Sequence, residues 1–192
     1  MFRGVSVNEF ELKILDFIQE HLKCGFLDWF MPLITKLGDA GIFWIIVAVV
    51  LLIFKKTRKT GAMVGVALLL GLLIGNLTLK PLIERMRPYD FYEQLTGGSF
   101  SLLIDAEKDF SFPSGHTLAS FEAATVLLIN DKRLGIPAVI LASVIAFSRL
   151  YLFVHYPTDI LGGIVLGVLI AFVACFIVNK VVKVYTARRL AK

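Results

Sequence analysis

The chain has 192 residues, of which 57% are hydrophobic and only 18% charged, with a formal net charge of +5. That apolar share lies well above the range of ordinary soluble domains. It falls in long unbroken runs, several close to the roughly 20 residues a spanning helix needs, which excludes a soluble globular domain and points to one compact integral membrane protein. The two cysteines, Cys24 and Cys175, give neither a disulfide framework nor a zinc spacing. Cys175 sits inside an apolar run and reads as a small packing residue.

Residues 8–23 place Phe10, Ile14, Phe17, Ile18 and Leu22 at helical spacing, interleaved with charge. This predicts an amphipathic helix lying in the membrane interface, with His21 on its surface. The acidic residues Glu9, Glu11, Asp16 and Glu20 argue against a cleaved signal peptide. The stretch FLDWFMPLITKLGD continues the helix with a break or kink at Pro32; the alternative makes it the start of a longer first span. Apolar runs then predict spans near 38–54, 61–79, 116–129, 135–154 and 159–178, the third being the shortest. The fold expected is an all-α, polytopic membrane helix bundle of about five to six transmembrane helices. Residues 1–37 would form the N-terminal interfacial helices, 38–180 the membrane domain and 181–192 a basic tail.

Basic residues set the orientation. Lys55, Lys56, Arg58 and Lys59, then Lys132 and Arg133, then Lys180, Lys183, Arg188, Arg189 and Lys192 all fall on one side of this layout. The positive-inside rule makes that side cytoplasmic. The pairs Gly61 and Gly65, Gly71 and Gly75, and Gly163 and Gly167 are each four apart, as in closely packed membrane helices.

Three polar clusters fall on the other side. In KPLIERMRP, Lys80 and Arg87 are seven apart, close to two helical turns, so both could lie on one helix face, although Pro81 and Pro88 limit how regular that helix can be. Taken alone, the pair reads as two cations snorkelling at a membrane edge. In FPSGHT, Ser114 reads as the N-cap of the third span, Gly115 admits close approach to the backbone, and His116 follows. Helix N-termini of this kind bind anions, although a capped helix start with an incidental histidine fits the same residues. In SRLYLFVHYPTD, Pro157 opens the fifth span, and Asp159 in its first turn can reach back to His155. Arg149 precedes them. An interfacial ion pair is the plain alternative, yet ionisable residues at membrane depth are functional candidates by default. Together the clusters suit an oxygen-rich anion such as phosphate. His116, His155 and Asp159 could also hold a metal, but Lys80, Arg87 and Arg149 would repel a divalent cation, and no added carboxylate set accompanies them.

These residues match a known pattern. Lys80-x6-Arg87-Pro88, then Pro113-Ser114-Gly115-His116, then Ser148-Arg149-x5-His155-x3-Asp159 resembles the three-part signature of the type 2 phosphatidic acid phosphatase family, membrane lipid phosphatases related to vanadium haloperoxidases. The resemblance spans roughly residues 38–178 and looks like the compact bacterial branch. It implies His155 as nucleophile through a phosphohistidine, Asp159 as its orienter, and His116 as acid and base. Lys80, Arg87, Ser114, Gly115 and Arg149 would bind the phosphoryl oxygens. It implies no metal and no cofactor. The expected partners are the bilayer and a lipid phosphate or diphosphate, with no nucleic acid. The expected location is the cell membrane, with the site on the extracytoplasmic side. There undecaprenyl diphosphate is the favoured substrate, followed by phosphatidate or phosphatidylglycerophosphate. A lipid phosphotransferase would use the same site. A phosphate transporter would need polar groups near the midplane, and Asn76 and Thr78 are the nearest. Tyr89, Phe91, Tyr92 and Phe100 read as ordinary interfacial aromatics, with a lid over the site as the alternative.

Overall fold

Positive-φ residues, rather than Pro32, mark the breaks along the first two helical runs. The computed structural model describes residues 7–190, so Lys192 of the expected basic tail lies outside the described residues. Helix α1 (Val7–Leu22) is followed by α2 (Gly25–Thr35), which runs straight through Pro32. Met31 and Thr35 are buried on either side of that proline, and their packing holds the helix together. The expected break comes later, where Asp39 leaves helical geometry and Ala40 and Gly41 take positive φ of 49° and 67°. Helix α3 (Ile42–Ile53) starts there.

After α4 (Arg58–Gly71), a π-helical stretch (Leu72–Leu79) leads into the single turn α5 (Lys80–Ile83). That turn ends at Glu84, with φ 48°. Lys80 and Arg87 therefore do not share a helix face, contrary to the expectation from their spacing. Residues 84–87 are extended or turned, and α6 (Pro88–Thr96) begins at the proline. An irregular segment, 97–114, leads to α7 (Gly115–Asn130). Asp131 alone separates α7 from α8 (Lys132–Tyr151), its carboxylate accepting from the Arg133 amide at 2.9 Å. A tight turn at 152–156 precedes α9 (Pro157–Leu190). The described residues contain no strand.

Four helical runs are long and apolar enough to cross a membrane: Gly25–Ile53, Arg58–Thr96, Lys132–Tyr151 and Pro157–Arg189. Helix α7 is shorter, at 16 residues, and stands at their centre against α4, α8 and α9. Its buried set runs round the whole helix, from Thr117 and Leu118 to Val126 and Leu127, as expected of a helix enclosed on all sides. Outward, Ile46, Val49, Leu69, Ile140, Val165, Leu169 and Phe176 stay exposed. That much contiguous aliphatic surface suits acyl chains and not water. The chain is a multi-pass membrane protein.

Small residues set the helix spacing. A Cβ on Gly61 would meet the Ala48 carbonyl at 2.7 Å, one on Gly75 the Leu118 side chain at 2.3 Å, and one on Gly167 the Leu118 carbonyl at 2.9 Å. Gly65 departs from the expected packing role, because nothing lies within 4 Å of the place its Cβ would take. Helix α1 also differs from the simple amphipathic reading. Leu12, Leu15 and Ile18 face inward with Glu11, whereas Phe10, Ile14 and Phe17 stay exposed.

The close approach of α8 to the α7 backbone predicts a stability effect. A Cβ on Gly135 would fall 2.1 Å from the Leu128 Cα, so Gly135→Ala must push α8 off α7. Overpacking of this kind costs about 1–3 kcal/mol. The thermal unfolding midpoint in detergent should fall measurably, and an unchanged midpoint would contradict this crossing.

Candidate active site

Four pieces of chain meet at one end of the bundle: the bend at 84–87, the segment 97–114, the start of α7, and the turn at 152–156. The basic loops 54–57 and 131–133 lie at the far ends of the helices that lead here. The turn is held by amide bonds back onto the end of α8, from Leu152 to Ser148, Phe153 to Leu150 and Val154 to Arg149. Phe153 takes a left-handed φ of 61°. Its ring stacks on Phe100 at 4.0 Å, with Tyr92 edge-on. These aromatics, with buried Tyr89, therefore pack inward over the turn and do not stand as free interfacial residues.

His155 emerges from this turn only 1% exposed. Asp159, in the first turn of α9, folds back so that its Oδ2 accepts from the Tyr156 amide at 2.9 Å and lies 3.3 Å from His155 Nδ1. The Ser111 hydroxyl donates to the same oxygen and sits 3.4 Å from Nδ1. On the other side of the ring, Arg87 Nη1 approaches Nε2 at 3.3 Å. A guanidinium can only donate, so Nε2 is the acceptor and Nδ1 carries the proton toward Asp159. Burial is the main force holding His155 well below the ordinary histidine pKa, and the charges of Arg87, Arg149 and Lys80 add to it. The ring is neutral at pH 7, with its lone pair on Nε2, facing Arg87.

The three cations converge, and they do so on two carboxylates of the segment 97–114 that carry no role in the sequence reading. Asp109 accepts from Lys80 and from Arg87, and Glu107 from Arg87 and Arg149. Arg87 also donates to the carbonyls of Asp109 and Val154, at 2.8 and 2.9 Å. Arg149 donates to Thr35 Oγ1 at 2.7 Å. Burial works to raise the Asp109 pKa, and Lys80 and Arg87 more than offset it, so its carboxyl is held below the ordinary value. The acidic set absent from the sequence reading is thus present, with each carboxylate committed to cations. No group of three metal-ligating side chains forms among the described residues.

Ser114 caps α7 as expected, accepting from the Thr117 amide and hydroxyl at 3.4 and 3.0 Å. Its own amide donates to the Asp159 carbonyl at 3.2 Å, which ties α7 to α9. Gly115 lies close to Asn76, and a Cβ there would come within 3.2 Å of its Oδ1. His116 Nε2 lies 2.8 Å from Asp39 Oδ1, at the break before α3. Sequence reasoning missed Asp39, Glu107, Asp109 and Ser111, which lie in irregular chain without a spacing rule. It also passed over Arg85, although that residue stands inside the first cluster. Arg85 donates to Asp159 Oδ1 and Thr158 Oγ1, each at 2.6 Å, to Asn8 at 2.8 Å, and to buried Glu11 of α1. Glu11 in turn accepts from the Thr158 amide at 2.7 Å.

Beside this centre lies a cavity of about 570 Å³. Lys80, Asp109, Gly115 and His116 form its polar end. From there it runs between α3 and α4, past Ile45, Val49, Leu68 and Leu72.

A family model described as the PAP2 superfamily matches residues 59–183. The chain belongs to the PAP2 superfamily. Its relatives include an undecaprenyl-diphosphatase of Sulfolobus acidocaldarius, 34% identical over 77% of this chain and 69% of that protein. Phosphatidylglycerophosphatase B of Bacillus subtilis is 32% identical over 77% and 67%. In three dimensions this PAP2 chain resembles the crystal structure of a transmembrane PAP2-type phosphatidylglycerolphosphate phosphatase from Bacillus subtilis, with a TM-score of 0.68 and 28% identity. That match covers 93% of this chain and 89% of the other. A bacterial vanadium-dependent iodoperoxidase shares the fold alone, with a TM-score of 0.69 at 18% identity over 88% of this chain and 48% of that one. This PAP2 chain is a membrane phosphatase, with relatives that act on lipid phosphates.

The link from Arg85 to Asp159 predicts a pH effect. In Arg85→Met, Asp159 loses its cation, and its charge then favours protonation of His155. The acid limb of kcat/KM for phosphate release should move to higher pH, and kcat should fall roughly 10²-fold as the dyad loosens. Arg85→Lys should restore most of both. A limb that stays in place would make Arg85 a structural residue only.

Proposed function

We propose that this protein hydrolyses the terminal phosphate of a membrane lipid through a phosphohistidine on His155, without a metal. The observation that supports this most directly is the buried neutral imidazole between Asp159 and Arg87. Its Nε2 lone pair attacks phosphorus while the P–O bond to the lipid breaks, and His116 gives its proton to the leaving oxygen. His116, now neutral, takes a proton from water; the hydroxide attacks phosphorus, the P–N bond breaks, and inorganic phosphate leaves. Asp159 holds the Nδ1 proton throughout. Asp39 orients His116. Lys80, Arg87 and Arg149, with Ser114 and the Gly115 amide at the start of α7, stabilise the charge on the phosphoryl oxygens. Those cations supply the positive charge a metal would otherwise bring.

The basic loops support an orientation with the site on the extracytoplasmic face of the cell membrane. The substrate is then a lipid whose terminal phosphate lies at that surface. A polyprenyl diphosphate such as undecaprenyl diphosphate, or a diacylglycerol phosphate such as phosphatidate or phosphatidylglycerophosphate, meets this requirement. The cavity between α3 and α4 supports lateral entry of the chains from the bilayer.

The decisive assay is release of inorganic phosphate from both lipid classes by detergent-purified protein in EDTA. Release should persist in EDTA and vanish in His155→Ala. Loss of release on chelation, restored by a divalent ion, would overturn the metal-independent mechanism. Because the His155 pKa is depressed, the acid limb of kcat/KM that reports the free enzyme should lie below pH 6.5. Replacing Arg87 or Arg149 by Met should lower kcat by roughly 10²–10³.

Glu107 and Asp109 hold the cations that must receive the phosphate. Asp109 stays ionised through the neutral range, so the competition persists there. In Glu107→Gln with Asp109→Asn, the affinity for inorganic phosphate as competitive inhibitor should rise about tenfold, since charged hydrogen bonds are removed from the free enzyme only. Unchanged or weaker inhibition would show that the carboxylates do not compete.

A further inference from the structure

One buried ionisable side chain takes no part in this chemistry. Glu122, on α7, is 1% exposed and makes no hydrogen bond or ion pair among the described residues, and its Oε1 is fully enclosed. It lies in the wall of the lateral cavity. Gly115, Leu118, Ala119 and Glu122 form one stripe along the cavity, at the i, i+3, i+4 and i+7 positions of a single helix face. Across from it, α4 presents Gly71, where a Cβ would fall 1.9 Å from Glu122 Oε1. The glycine leaves the room in which the carboxyl sits.

Burying a carboxyl without a partner is costly, and an ionised one far more so. As an acid, Glu122 offers one O–H donor to whatever enters the cavity. Its position fixes what that donor can meet. Glu122 lies two helical turns from Gly115, about 10 Å along the axis. Side chains on a helix lean toward its N-terminus, which brings the carboxyl back toward the phosphate end. In a diacylglycerol phosphate, the ester carbonyl oxygen stands six bonds from phosphorus, about 7 Å at roughly 1.2 Å per bond of extended chain. A polyprenyl chain carries only hydrocarbon at that distance, and would leave the donor buried and unpaired.

We propose that Glu122 donates a hydrogen bond to an ester carbonyl of the substrate, so that the cavity selects diacylglycerol phosphates over polyprenyl diphosphates. This rests on the lipid phosphatase reading above and reverses the preference drawn from the sequence. An unmet buried acceptor or donor discriminates strongly between otherwise similar ligands.

The test compares phosphate release from phosphatidate, its dialkyl ether analogue, which lacks the carbonyls, and a polyprenyl diphosphate. Wild type, Glu122→Gln and Glu122→Met are assayed on each. Gln keeps a donor; Met keeps the unbranched shape and removes it. Wild type should prefer phosphatidate to its ether analogue about tenfold in kcat/KM. Glu122→Met should erase that ratio while its rate on the ether analogue and the polyprenyl diphosphate holds or rises, which also shows that the variant is folded. Glu122→Gln should keep most of the preference. Equal wild-type rates on the ester and the ether, or a ratio unchanged in Glu122→Met, would overturn the proposal and leave the phosphatase reading intact. A Glu122→Met protein that loses all three activities alike would also overturn it and make Glu122 a structural residue. Release from no lipid by folded wild type would overturn the phosphatase reading first.

Discussion

Lys80, Arg87 and Arg149 crowd like charges beside one buried imidazole, and the rest of the site answers that crowding. Cations in a poorly hydrated setting need anions close by. The segment 97–114 supplies Glu107 and Asp109, and Tyr89 fastens that segment with a 2.8 Å bond to the Glu107 carbonyl. Asp159 is the third anion, held by Arg85, Ser111 and the Tyr156 amide. His155 sits between the two groups. Burial first, and the cations after it, keep the ring neutral, while Arg87 at Nε2 and Asp159 at Nδ1 together fix its tautomer. Remove the cations and one of the forces against protonation goes; remove Asp159 and Nδ1 loses the carboxylate that orients the ring.

Much of this is legible in the sequence. The apolar runs gave the bundle because hydrocarbon thickness dictates their length. The Pro-Ser-Gly-His stretch gave a helix start because capping is local chemistry. His155 and Asp159 were readable for the same reason, one helical turn apart across a proline. What failed was reading periodicity through a break. Lys80 and Arg87 meet only because Glu84 leaves the helix, and Pro32 stays helical because tertiary packing outweighs one lost hydrogen bond. Glu107, Asp109 and Asp39 had no signal at all, since they act through long-range contacts from irregular chain. Arg85 and Glu11 pair across 74 positions, a separation no local rule spans.

Two of the interior carboxyls, Asp159 and Glu122, show how far surroundings divide one functional group. Asp159 is ringed by donors and a guanidinium, and serves as a fixed negative pole. Glu122 sits against Gly71 in the cavity wall, with no hydrogen-bond partner for its Oε1. Helix α1 joins the first of these through Glu11 and Arg85, so the N-terminal helix is linked to the candidate site as well as packed on the bundle.

Helix length has a consequence of its own. From their shared corner at Asp131, α7 with 16 residues rises about 24 Å and α8 with 20 residues about 30 Å, at 1.5 Å per residue. The two helices thus differ by about 6 Å in length, and the turn at 152–156 that carries His155 follows the longer one.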